Sequence, residues 1–437
     1  MSANLNSPPS ASALANPWVQ LIIGVICMAC VANLQYGWTL FVDPIDGKYH
    51  WGRAAIQVAF TIFVAIETWL IPIEGYLVDR FGPRWVVIGG SILVAAAWAL
   101  NSAAASLPIL YLGAALGGIG TGCVYGTSVG NALKWFPGRR GLAAGITAAG
   151  FGAGAAITVG PIKTMITTAG YQHAFLVFGL IQGGIVFVMA WLMLAPPARL
   201  IAAKVKSNQT AHGYTPIEVL KNPVFYVLYA MFVLIAAGGL TMTASIAPIA
   251  KDLKIDKIPV ELFGMAMPAL VFAIFLNRIF DGVGRPFFGW LSDQIGREYT
   301  MALAFFTGAI ALYTLSQAGA NPVVFVLVSA LYFGVYGEIF SLFPATQGDT
   351  FGAKYAASNA GMLYTAKGTA VFLVPVAAIV AKAHGWGPVF SIAMTFNVMA
   401  GLMALFLLKP MRVRHFAKSR EAFPAAAAAD VTRTSTT

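Results

Sequence analysis

Arg278, Asp281 and Arg285 stand in one long apolar stretch, and Lys367 stands in another. Spacings of three and four put the first three side chains on one stripe of a helix. A charged side chain at bilayer depth costs about 2.5–3.5 kcal/mol on insertion scales, so it normally faces a cavity or a partner. Two cations lining one cavity attract an anion. Arginine offers a planar fork that suits a carboxylate, and lysine a compact point charge. The plainer alternative is that Arg285 and Lys367 only neutralise buried carboxylates. Asp281, Glu67, Glu74 and Glu338 are the candidates for that role. For Arg278 the expectation is an ion pair with Asp281.

Catalytic chemistry finds little support. The chain has no Ser-His-Asp grouping, no HExxH and no nucleotide-binding loop. Its histidines, His50, His173, His212, His384 and His415, fall in loops, linker or tail. Cys27, Cys30 and Cys123 lie inside apolar stretches without metal-type spacing, and read as small apolar core residues. The glycines from Gly117 to Gly122 sit mid-span at the spacing of helix packing rather than of a phosphate loop. No enzyme activity, cofactor or metal is therefore expected.

These charges must be positioned by elements that live in lipid. Of 437 residues, 59% are hydrophobic and only 10% charged. Soluble domains carry about 25% charged residues. A helix needs about 20 apolar residues to cross a bilayer. Spans are expected near 19–42, 54–78, 86–105, 108–133, 141–163, 173–195, 224–250, 261–292, 299–319, 322–347, 356–382 and 386–409. If the N-terminus is cytoplasmic, 17 of the 27 Lys and Arg residues fall in cytoplasmic loops and tail, 7 on the other side and 3 within spans. That bias places both termini inside. It also accounts for the net charge of +11 without nucleic acid. Residues 1–16 lack Lys and Arg, so they do not open like a secretory signal, and read as a disordered cytoplasmic lead. A six-span half over 17–195, a cytoplasmic linker over 196–222, a second half over 223–410 and a tail over 411–437 follow.

Two copies of one phrase mark the halves. Gly75-Tyr-Leu-Val-Asp79-Arg80-Phe-Gly82-Pro-Arg84 and Gly289-Trp-Leu-Ser-Asp293-Gln-Ile-Gly296-Arg297 each follow a long apolar segment, offset by 214 residues. Phe136 and Phe351, each before a Gly and a basic residue, repeat at nearly the same offset. Duplication of this kind is common in transporters. In each copy the leading glycine permits close helix contact, and the aspartate lies where a neighbouring helix N-terminus or an arginine can meet it. Such a contact holds one conformation and breaks in another. The phrase resembles the loop motif of the major facilitator superfamily, between helices two and three and again between eight and nine. Over residues 17–410 the resemblance implies an all-α membrane protein of twelve transmembrane helices in two six-helix bundles, with a central cavity and alternating access.

A narrower resemblance follows. Arg285-Pro-Phe-Phe-Gly-Trp-Leu-Ser-Asp293, Ala366-Lys367-Gly-Thr-Ala, Leu34-Gln-Tyr36-Gly-Trp-Thr-Leu40 and Trp135-Phe-Pro-Gly-Arg139-Arg140-Gly-Leu-Ala are similar to the oxalate/formate antiporter family. In that family the arginine and lysine matching Arg285 and Lys367 hold the two carboxylates of oxalate. Tyr36 and Tyr125 match tyrosines of its aromatic cage, and Gln57 a nearby polar contact. Phe151, Tyr336, Phe340 and Tyr364 appear where other aromatics are expected. Asp281, Glu67, Glu74 and Glu338 replace uncharged residues. An aspartate four residues before a span-eight arginine instead resembles the proton-coupled monocarboxylate transporters, in which the acid takes the proton that travels with the substrate.

The expected function is secondary active transport of small organic carboxylates in the cell inner membrane, oxalate/formate antiporter-like. Proton-coupled monocarboxylate symport is the alternative, and a non-transporting receptor a distant one. A small carboxylate, and a proton under the alternative, are the partners, and a monomer is expected. In this view the anion docks between Arg285 and Lys367. In the empty cavity the two like charges repel and disfavour closure.

Overall fold

The computed structural model describes residues 13–197, 209–210, 212–317 and 321–423. Most of the expected lead, part of the linker and the end of the tail lie outside them.

The first half consists of α1 (Pro17–Val31), α2 (Asn33–Tyr36), α3 (Thr39–Tyr49), α4 (Arg53–Trp69), α5 (Ile71–Phe81), α6 (Pro83–Ser102), α7 (Leu107–Trp135), α8 (Arg140–Ala169) and α9 (Tyr171–Leu192). A short α10 (Pro216–Leu220) leads to α11 (Pro223–Asp252). The strands β1 (Pro259–Leu262) and β2 (Met265–Pro268) follow. Then come α12 (Ala269–Ile295), α13 (Arg297–Gln317), α14 (Pro322–Tyr336), α15 (Ile339–Phe351), α16 (Ala356–Val371), α17 (Leu373–His384), α18 (Trp386–Met403) and α19 (Lys409–Ala422).

Ten helical segments among the described residues are long and apolar enough to span a bilayer, and the bent pair α4–α5 makes an eleventh. The twelfth is α12, whose 27 residues include Arg278, Asp281, Arg285 and Asp293. Its charge load hides it from a hydropathy criterion.

Several spans break along their length, and prolines explain two of the breaks. Pro72 lacks the N–H that would bond the carbonyl of Thr68, and the chain bends by 44° after Trp69. Pro375 likewise cannot bond Val371, where α16 ends. A third break, between α14 and α15, falls at Gly337 and Glu338.

One sequence expectation needs correction. Span eight does not begin at 261. Residues 259–268 form an antiparallel hairpin, with Leu262 opposite Met265, and the helix starts at Ala269. Phe263 (φ 54°) and Gly264 (φ 74°) occupy the two central turn positions, as a tight hairpin whose twist matches its strands requires. At the other end, residues 409–422 are helical as α19.

Candidate functional site

Each copy of the repeated phrase makes the same contact with the opposite half. Asp79, at the end of α5, accepts hydrogen bonds from the backbone N–H (2.9 Å) and hydroxyl (2.5 Å) of Ser358 in the first turn of α16. Asp293, at the end of α12, accepts from the N–H groups of Gly141 (3.1 Å) and Leu142 (2.9 Å) in the first turn of α8. Each carboxylate thus satisfies helix N-terminal donors that have no intrahelical partner, at the positive end of the helix dipole. The leading glycines permit this approach. A Cβ on Gly75 would overlap the carbonyl of Ala357, and one on Gly289 that of Gly141. Gly82 (φ 84°) and Gly296 (φ 99°) close the phrases in backbone conformations that disfavour side chains.

Both aspartates also carry a cation. Lys134 Nζ is 2.5 Å from Asp79, and Arg297 is 2.7 Å from Asp293. Around the second copy the network extends. Arg297 Nε donates to Asp349 (2.9 Å) and its guanidinium to Ser292. Arg140 donates to Asp349 (2.9 Å) and to the carbonyl of Gly348 (2.8 Å). Gln209, between the halves in sequence, donates to Asp349 (2.7 Å). The molecule is latched shut at this end. Arg80 and Arg84 are not part of the latch: Arg80 reaches Tyr76 of its own helix (3.5 Å). Lys134, Arg140, Asp349 and Ser358 were missed as site residues. Their signal was weak: polar residues at span ends, of which Lys134, Arg140 and Asp349 flank the repeated Phe136 and Phe351 and Ser358 stands apart.

At mid-depth the intramembrane charges meet an aromatic layer that crosses both halves. Tyr36 packs edge-on to Phe151 (centroids 5.4 Å apart), and Phe151 to Tyr125 (5.5 Å). Tyr125 meets Tyr364 of the second half (4.7 Å), and Tyr364 meets Phe340 (6.2 Å), which touches Tyr336 (6.1 Å). Arg285 lies over the Phe340 ring (4.6 Å). Lys367 donates to the Tyr364 hydroxyl (2.9 Å). The arrangement joins Tyr125, Tyr336, Tyr364, Arg285 and Lys367, all buried, with the half-buried Tyr36 in one patch. Gln57 is not joined to it. It lies exposed near the start of α4, ten residues and so about 15 Å of helix before Glu67.

Neither cation is bare. Asp281 engages Arg285 at 2.8 Å and 3.4 Å, and Arg285 also donates to the carbonyl of Ala148 in the first half (2.9 Å). Lys367 lies 3.6 Å from Glu67 of the first half. All four are nearly sealed, at 4%, 2%, 4% and 0% exposure for Asp281, Arg285, Lys367 and Glu67. The expected repulsion between two unpaired cations is therefore absent here. The expected Arg278–Asp281 pair does not form either. Helical side chains lean toward the N-terminus, so Arg285 folds back over Asp281 while Arg278 leans away from it. Arg278 is exposed and stacks over the Tyr36 ring (5.4 Å). Glu338, read as a charge-pair candidate, is fully buried, with neither carboxylate oxygen hydrogen-bonded among the described residues.

A helical, twice-repeated membrane chain latched by such motifs and centred on buried charges has the build of a membrane transporter. The description Major Facilitator Superfamily matches residues 21–375. The chain belongs to the Major Facilitator Superfamily, and it is a transporter. It is 34% identical over 412 residues to the Oxalate:formate antiporter of Oxalobacter formigenes, covering 93% of this chain and 96% of that protein. It is 27% identical over 288 residues to human Monocarboxylate transporter 11, covering 64% of this chain and 57% of that protein. A superfamily transporter solved in the outward conformation shares the fold, with TM-score 0.65 at 17% identity over 91% of this chain and 98% of that one.

Proposed function

We propose that this chain carries small carboxylates across the bacterial inner membrane by alternating access, with both termini cytoplasmic. The observation that carries this reading is the placement of two buried cations, Arg285 and Lys367, from different helices in one aromatic patch. A carboxylate entering that patch finds a guanidinium fork, an ammonium and the faces of Tyr36 and Tyr125. Its relative from Oxalobacter formigenes, named for oxalate and formate, supports the same substrate class.

Counterflow of radiolabelled formate, oxalate and lactate into proteoliposomes tests this. Truncating one member of a buried, hydrogen-bonded charge pair costs about 2–5 kcal/mol, so Arg285→Ala or Lys367→Ala is expected to lose about 30-fold or more in carboxylate transport. Wild-type rates in both variants overturn the anion clamp.

A second reading, proton-coupled transport of a monocarboxylate, is favoured by the charge balance. Arg285 and Lys367 are paired with Asp281 and Glu67, and Arg278 over the Tyr36 ring adds a single positive charge if both acids are ionised. One negative charge suits that patch better than two. A dianion is accommodated when one acid takes a proton. Under this reading Asp281→Asn makes uptake insensitive to external pH, whereas unchanged pH dependence in that variant removes the proton role.

A further inference from the structure

We propose that Glu67 lets this carrier reorient empty: its carboxylate occupies the place on Lys367 that a substrate carboxylate otherwise takes, so that net flux is open to it as well as exchange. The inference rests on the carboxylate reading above and names how that transport is coupled.

The two acid–cation couples differ in build. Asp281 and Arg285 lie four residues apart on one helix and are joined by two hydrogen bonds, so their pairing does not depend on how the two halves meet. Glu67 and Lys367 come from opposite halves. Their oxygen and nitrogen stand 3.6 Å apart, and neither Glu67 oxygen has a hydrogen-bond partner among the described residues. A carboxylate held by charge alone is readily exchanged for another. The approach is built into the backbone: Gly368, beside Lys367, meets Thr68 and Trp69, and a Cβ there would crowd the Trp69 indole nitrogen and the Thr68 hydroxyl. Among the described residues, the other ionisable groups that interact with Glu67 are Tyr125 of α7, Tyr364 of α16 and Glu74 of α5, none of them a cation. Lys367 is thus the cation Glu67 faces.

Alternating access requires a sealed intermediate. A bare ammonium there is penalised by burial, and any carboxylate relieves the penalty. In a strict exchanger that carboxylate belongs to the substrate. Here the chain supplies one, so the sealed state is accessible without cargo. The same placement makes Glu67 a competitor of the substrate for Lys367.

The test uses the purified full-length protein in liposomes loaded with radiolabelled formate, with oxalate and lactate in parallel sets. Efflux is followed into buffer with and without external unlabelled anion. Wild-type protein is expected to show both modes at rates within about threefold of each other. In Glu67→Gln the ratio of net efflux to exchange is expected to fall about tenfold whatever the absolute rate, and the KM for the anion to fall as the competitor is removed. Glu67→Asp is expected to restore the wild-type ratio. Wild-type efflux that demands external anion overturns the inference without any variant. So does a Glu67→Gln protein with the wild-type ratio and KM, which would make the pair a strut. If wild-type protein exchanges none of formate, oxalate and lactate, the carboxylate reading fails, and this inference with it.

Discussion

The two copies of the loop phrase do the same thing with unequal means. Asp79 holds Ser358 and shares one lysine, Lys134, whose side chain keeps some access to solvent. Asp293 holds Gly141 and Leu142, and its arginine is also bound to Asp349, which binds Arg140 and Gln209 as well. One copy is a clasp with a single cation, the other the rim of a buried network. Duplicated sequence therefore guarantees the geometry of the contact but not its strength. The strength depends on what the rest of each half places around the aspartate.

The sharpest way to break this asymmetry is Arg297→Ala. It leaves Asp293 without its cation and takes one of three side-chain partners from Asp349. Removing one member of a buried pair costs about 3–5 kcal/mol, and that loss is expected in thermal unfolding of the detergent-solubilised protein. Lys134→Ala is expected to cost much less, because Lys134 keeps some access to solvent and is paired with one acid, whereas Arg297 is sealed and holds two. An equal cost for the two variants would refute the asymmetry.

Next come the aspartates themselves. Asp293→Asn and Asp79→Asn each weaken the trans-capped helix start, at about 1–3 kcal/mol, with the larger value at Asp293. The readout is labelling of an engineered cysteine beneath the latch, which is expected to rise in both variants and more in Asp293→Asn. Gly75→Ala and Gly289→Ala sharpen the other side of the comparison. Both place a Cβ into main chain of the opposite half, so both are expected to open this end to a similar extent, at about 1–3 kcal/mol of overpacking.

The smallest effect lies outside the latch, in the linker. The Thr215 hydroxyl accepts from the Glu218 N–H, and the Glu218 carboxylate accepts from the Thr215 N–H, starting α10. Thr215→Ala is expected to cost about 1 kcal/mol. The Thr215 N–H and hydroxyl hold the Glu218 carboxyl below the usual carboxylate range. A lowered folded-state value means that its contribution is present above the unfolded value and fades as pH falls through the folded one. The Thr215→Ala penalty is expected to shrink on acidification, as thermal unfolding at several pH values would record.

Much of this was legible in the sequence because lipid imposes simple rules. The spans, the repeated phrase and the intramembrane charges all stand out against an apolar background. Span eight was the exception at its start, where a Phe-Gly turn interrupts an otherwise apolar run. The pairing of the charges was less legible. Helical spacing allowed Asp281 either Arg278 or Arg285, and only the backward lean of helical side chains separates them. Glu67 was visible as a buried acid, but nothing near it in sequence names Lys367.

The sequence alone determined that this is a twice-built helical membrane carrier with cations at depth, because unpaired backbone and unpartnered charge are too costly in lipid to occur without cause. Which acid neutralises which cation, and which of the twin latches is the stronger, was decided only by the tertiary structure. Glu67–Lys367 and Arg140–Asp349 join residues from opposite halves, and their distances depend on how the two bundles pack rather than on any local pattern.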